Sequence, residues 1–117
     1  MTEQVVNLEE LAVTERIQSL ASLYGIASVV VGTGKAPNKK TLKQLVKACR
    51  KEILSELGEE SGWEIMKGNK VVVEAYLSGI KNDTRLKDLP QADQGKMYKS
   101  AIEDLSKTCI TGMEKLF

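Results

Sequence analysis

The sequence predicts an all-α protein, a small bundle of about four amphipathic helices. Three observations lead to this prediction. Apolar residues recur at steps of three and four along most of the chain, residues that favour helix caps precede several of these segments, and glycine or proline separates the segments. With 117 residues, 42% of them hydrophobic and 28% charged, residues 1–117 can bury a core as a single helical domain.

The first helix is predicted from about Leu8 to Val31, behind a cap-like Asn7. Its apolar face contains Val13, Ile17, Leu20, Ala21, Tyr24, Ala27 and Val31. Gly25 weakens this prediction because glycine lowers helix propensity. The run of three valines at 29–31 also weakens it, because β-branched residues suit strands.

A glycine-rich stretch, Gly32-Thr33-Gly34-Lys35, follows the valines. A phosphate-binding loop needs an earlier glycine where this chain has Val29, and a serine or threonine where it has Ala36. Pro37 would also prevent a helix from following the lysine directly. The stretch is therefore predicted to end the first helix, with an anion site on its backbone amides as the weaker alternative.

The second helix is the clearest in the sequence, because Thr41 and Gln44 have the spacing of a capping box. Its apolar stripe is Leu42, Leu45, Val46, Cys49, Ile53 and Leu57. Gly58 then suits a left-handed helix cap. The helix is therefore expected to end at this glycine.

The opposite side of the second helix carries the most uneven charge in the chain. Seven cations and no acid lie between residues 35 and 51, and five glutamates follow by residue 64. The candidate residues for binding an anion or a partner are Lys39, Lys40, Lys43, Lys47, Arg50 and Lys51. They could be a solvated face whose lysine stems cover apolar edges, or a surface for nucleic-acid phosphates or an acidic protein.

Residues 63–77 leave two interpretations open. In one, Gly68 ends a short helical turn and Asn69 caps a third helix. In the other, the segment forms a β-hairpin, which would make the fold α+β. The spacing of Lys70, Glu74, Ser78 and Lys81 favours the helix, because these polar residues then share one solvent face.

The last helix is predicted from about Asp93 to Leu116, after a polar connection over residues 82–92 that contains Pro90. Its apolar face contains Met97, Ala101, Ile102, Leu105, Cys109, Met113 and Leu116. The core is expected to bring Leu45, Val46, Cys49 and Ile53 together with Ile102, Leu105 and Cys109.

The composition excludes several kinds of active site. The chain has no histidine, which excludes every triad or metal site that needs imidazole. Cys49 and Cys109 are predicted to be small core residues. Glu52, Glu56 and Glu60 are predicted to form a solvated acidic face. The sequence therefore indicates no catalytic residue, no metal site and no cofactor.

These observations predict a non-enzymatic interaction or regulatory module that binds another protein or a second copy of itself. The alternative is a nucleic-acid-binding regulator that uses the basic segment 35–51 on phosphates. Membrane binding is not expected, because the apolar helix faces are needed for the core. The acidic start of the chain, without a long apolar run, predicts a cytoplasmic protein.

Overall fold

The structure, a computed structural model, describes residues 8–82 and 91–117, and the side chains of residues 15–80 and 95–117. Three helices make up these ranges: α1 (Leu8–Gly32), α2 (Lys39–Asn82) and α3 (Gln91–Leu116). No strand occurs in the described ranges, so the prediction of an all-α fold is confirmed. No described helix combines the length and the apolar character that crossing a membrane requires.

Helix α1 begins at Leu8, as predicted, and ends at Gly32, one residue after the predicted Val31. It lies at the centre of the molecule. Its buried apolar residues point in most directions around the helix: Ile17, Leu20, Ala21, Leu23, Tyr24, Ala27, Val29 and Val30. A helix that is apolar on nearly all sides must be covered by other elements. Among the described side chains of α1, those of Glu15, Gln18, Ser19 and Ser22 are exposed and form a narrow strip.

The glycine-rich stretch ends α1, as predicted. The Thr33 hydroxyl donates a hydrogen bond to the Val30 carbonyl at 2.6 Å. The Gly34 amide donates to the Val31 carbonyl at 3.1 Å, and Gly34 has a positive φ of 74°. These bonds satisfy carbonyl groups that the end of a helix leaves without partners.

Helix α2 begins at Lys39, earlier than the sequence predicts. The Leu42 amide donates to the Asn38 carbonyl at 3.0 Å, so the helical bonding series already starts there. Asn38 has a φ of 57°, a conformation that asparagine tolerates better than most residues. Thr41 is therefore inside the helix, and the capping box predicted for Thr41 and Gln44 is wrong.

Gly58 interrupts α2 with φ 81° and ψ 172°. The positive φ was expected, but the ψ lies outside the left-handed helical region and in a region that is essentially restricted to glycine. A Cβ placed on Gly62 would lie 3.5 Å from the Leu54 Cα, whereas in a straight helix eight residues span about 12 Å. The N-terminal arm (residues 39–57) and the C-terminal arm (residues 59–82) therefore fold back on each other. The sequence predicts about four helices, whereas the described residues form three, and the second of these has two arms.

The hairpin alternative for residues 63–77 is wrong, because the whole segment lies in the C-terminal arm of α2. Gly68 does not end a helical turn and Asn69 is not a cap, since both lie inside the arm. The Asn69 side chain instead donates to the Ile65 carbonyl at 2.8 Å. Met66 and Leu77 are buried on the core side of this arm.

The polar face that favoured the helix is exposed, as predicted, at Lys70, Glu74 and Ser78. The side chain of Lys81 lies outside the described residues, as do the cap predicted at Asn7 and most of the connection predicted over 82–92.

The C-terminal arm crosses α1 at a point of very close approach. A Cβ on Gly25 would lie 2.8 Å from the backbone carbon of Asn69 and 2.9 Å from its oxygen. Backbone atoms cannot move aside as a flexible side chain can, so only glycine fits here without a shift. Gly25, which seemed a weak point in the helix, is what lets the two helices meet.

Helix α3 completes the core. Of the predicted core set, Leu45, Cys49, Ile53, Ile102 and Cys109 are fully buried, while Val46 and Leu105 are partly buried against them. Two stripe residues at segment ends, Leu57 and Met97, are exposed instead. Leu57 directly precedes the break at Gly58, where the direction of the chain changes.

Candidate interaction surfaces

The six predicted site residues lie together on one side of the N-terminal arm, which we call the cationic face. Lys39, Lys40, Lys43, Lys47 and Lys51 are exposed, and Arg50 is half-buried. Leu42, Leu45 and Cys49 of this arm are buried in the core. Because of the helical repeat, the six cations lie on the other side of the arm, which faces solvent. The structure therefore brings these six side chains to one surface.

The cationic face is not neutralised by the rest of the described chain. None of its six residues forms an ion pair with a described side chain. By contrast, Arg16 on α1 donates hydrogen bonds from its Nε and Nη2 to both carboxylate oxygens of Glu52 on α2, at 2.9 to 3.1 Å. Lys35, the seventh cation, has its ammonium 5.3 Å from the centre of the Tyr98 ring on α3.

A second surface, not predicted from the sequence, lies on the C-terminal arm. Five exposed, uncharged residues share one side of this arm and form what we call the apolar stripe: Gly68, Val72, Ala75, Tyr76 and Gly79. Val72 is 68% exposed and Tyr76 is 54% exposed. Their spacing of four, three, one and three was visible in the sequence, but it indicates a surface only once the segment is known to be helical.

The apolar stripe borders an open groove whose floor is α1. A hollow of about 340 Å³ is lined by Val72 and Tyr76, by Ser22 and Ile26 of α1, and by Leu105 of α3. Ser22 and Ile26 also line a larger groove of about 870 Å³ between α1 and α3. The exposed strip of α1 therefore lies between two raised helices, a geometry suited to receiving another helix.

The two thiols are in the core. Cys49 and Cys109 are fully buried and unbridged. Burial raises the pKa of each thiol from the ordinary 9.0 to about 12; the Glu52 charge adds to the rise at Cys49, and the Cys49 charge adds to it at Cys109. Thiolate is the reactive form, so this environment suppresses nucleophilic chemistry.

Among the described side chains, no group of three or more cysteines, aspartates and glutamates gathers where it could hold a metal ion. Glu56 and Glu60 are exposed, while Glu52 is held by Arg16.

Comparisons of this chain with protein-family models, with curated proteins and with solved structures find no match.

Proposed function

We propose that this protein is a non-enzymatic interaction and regulatory module that assembles as a homodimer through the apolar stripe. The observation that supports this proposal is the exposure of Val72 and Tyr76 on a helix face without charges. Apolar patches that a folded chain leaves open beside a groove are typical of contacts between proteins.

The order of residues along the stripe suits a two-fold axis. Gly68 and Gly79 lie at its ends, about 16 Å apart along the helix axis, and Val72, Ala75 and Tyr76 lie between them. In an antiparallel pair of these arms, Gly68 of each copy lies opposite Gly79 of the other, and the larger residues meet in the middle. Such self-complementarity is what an isologous contact requires.

Within the part of the chain that the structure describes, no contact explains these two glycines. A Cβ at Gly68 or at Gly79 would meet nothing within 4 Å, yet each glycine weakens an exposed helix by about 1 kcal/mol relative to alanine. A second helix packed closely against the apolar stripe would explain why glycine occupies both positions, because a side chain there would hold the two helices apart. In this assembly the two arms of α2 act as separate helices of a four-helix unit, together with α1 and α3.

Sedimentation velocity tests the dimer. A homodimer with a micromolar Kd is almost completely formed at about 100 µM chain. At this concentration we therefore expect the wild-type protein to sediment with twice the mass of one chain. Val72→Glu and Tyr76→Glu should give monomers, because each would bury a charge in the contact. Lys70→Glu, on the opposite side of the same arm, is the control and should remain dimeric.

Gly68→Leu separates an effect on the dimer from an effect on the fold. The substitution should stabilise the helix by up to about 1 kcal/mol, because leucine is the better helix former. It should nevertheless weaken the dimer, because the added side chain prevents close approach. A wild-type protein that stays monomeric at the same concentration would contradict the proposal, as would a Gly68→Leu variant that dimerises normally.

A further inference from the structure

The cationic face on the N-terminal arm of α2 has a regular geometry. Lys39, Lys43, Lys47 and Lys51 follow one another at four-residue steps, so each advances about 6 Å along the helix and the row is about 18 Å long. Lys40 and Arg50 lie beside this row. All the lysines are exposed, so their ammonium groups can reach a ligand laid along the arm.

The start of the helix adds to the positive potential. The first turn of α2 contains no acidic residue, and the amide groups at a helix N-terminus carry a partial positive charge. The partial charge of the helix terminus therefore adds to the positive potential of the lysines, and both attract anions. The net charge of the whole chain is only +1, so this attraction is local to the arm.

The cationic face lacks the features of other kinds of interface. Its exposed residues include no aromatic side chain, and the one exposed large apolar residue of the arm, Leu57, lies at the far end beside the break. A protein contact usually has a buried aromatic or aliphatic anchor, and a membrane contact needs apolar insertion. Single-stranded nucleic acid is usually held by stacking on aromatic rings. A row of exposed cations alone fits a regular polyanion.

We infer that the cationic face binds the phosphate backbone of double-stranded nucleic acid, without regard to base sequence. A duplex carries one negative charge for about every 1.7 Å of its axis, so about 18 Å of duplex carries about ten phosphates, more than the six cations of this face. Five of the six cations are lysines, which lack the planar fork that reads guanine. This surface is on a different arm from the apolar stripe, so duplex binding does not depend on the dimer.

The test is a fluorescence anisotropy titration of a labelled duplex DNA at several salt concentrations. With four to six phosphate contacts, the slope of log K against log salt should be about −4 to −5. The double variant Lys47→Ala, Lys51→Ala should shallow the slope by about two, because two contacts are lost. Two duplexes of unrelated sequence should bind with equal affinity.

The control is the double variant Lys67→Ala, Lys70→Ala, which removes the same charge from exposed positions on the C-terminal arm. It should leave the slope unchanged. Exposed lysines contribute little to stability, so circular dichroism should show both variants folded. Absence of binding at about 50 mM salt, where backbone contacts are strong, would overturn the inference. An equal effect of the two double variants, or binding of poly-glutamate or anionic vesicles in place of DNA, would also overturn it.

Discussion

Gly58 is the residue whose backbone conformation determines the path of α2. Its φ of 81° and ψ of 172° are accessible to glycine, whereas a residue with a Cβ is strained there by about 1–3 kcal/mol. A Cβ at this position would meet no neighbour within 4 Å. The requirement for glycine is therefore conformational, and it is separate from packing.

Replacing Gly58 tests this requirement. We expect Gly58→Ala to lower the free energy of unfolding by about 1–3 kcal/mol, measured by chemical denaturation. Gly95→Ala is the matched control, because Gly95 is an exposed residue of α3 that also has nothing within 4 Å. Alanine there should raise the free energy of unfolding by up to about 1 kcal/mol. Equal signs for the two substitutions would contradict the interpretation.

At the scale of elements, Arg16 connects α1 to both of its neighbours. It forms a two-pronged ion pair with Glu52 of α2, and its guanidinium lies 5.8 Å from the centre of the Phe117 ring, just after α3. The Arg16 and Glu52 side chains are 39% and 34% exposed. Water and salt therefore screen the pair, although its two-pronged geometry is favourable.

A double-mutant cycle with Arg16→Leu and Glu52→Gln should give a coupling energy of about 0.5–1 kcal/mol in favour of the pair. This coupling should shrink in 1 M salt, where the Debye length is about 3 Å. The same cycle with Glu56→Gln, one turn further along α2, is the control and should give a coupling near zero. Similar values for Glu52 and Glu56 would mean that the pair has no specific role.

The sequence predicts some of these elements well because their signals are local. The bounds of α1 and the cationic face follow from spacing along a single helix. The end of the second helix at Gly58 was also predicted, but the further break predicted at Gly68 is wrong. The sequence gives both positions the same signal, because Gly58 and Gly68 both follow apolar segments. The choice between them depends on distant contacts, Gly62 against Leu54 and Gly25 against Asn69. The apolar stripe was missed because the segment offers apolar residues on several sides, and only its packing on α1 shows that Val73 and Leu77 face the core while Val72 and Tyr76 are exposed.

For the whole molecule, the two buried thiols make stability depend on alkaline pH. In the unfolded chain a thiol ionises near pH 9, whereas burial raises the pKa of Cys49 and Cys109 to about 12. The folded state therefore favours the neutral thiols. Their contribution to stability is complete below pH 9 and is lost as the pH rises from 9 towards 12.

Chemical denaturation at pH 8 and at pH 10 checks this dependence. Above pH 9, each thiol should remove about 1.4 kcal/mol of stability per pH unit. The double variant Cys49→Ala, Cys109→Ala is the control, because it keeps every other group that titrates in this range. The wild-type protein should lose more stability than the variant between the two pH values; parallel losses would show that the thiols are not the cause.

The break at Gly58 also limits the dimensions of the protein. As a straight helix, the 44 residues of α2 would be about 66 Å long, which exceeds the longest dimension of the molecule, 59 Å. If Gly58 became helical, the C-terminal arm would swing away from α1, and Met66 and Leu77 would lose their cover. Two chains with a helical Gly58 could exchange C-terminal arms, so that each arm packs on α1 of the other chain. The conformation of Gly58 therefore keeps the core contacts of the C-terminal arm within a single chain.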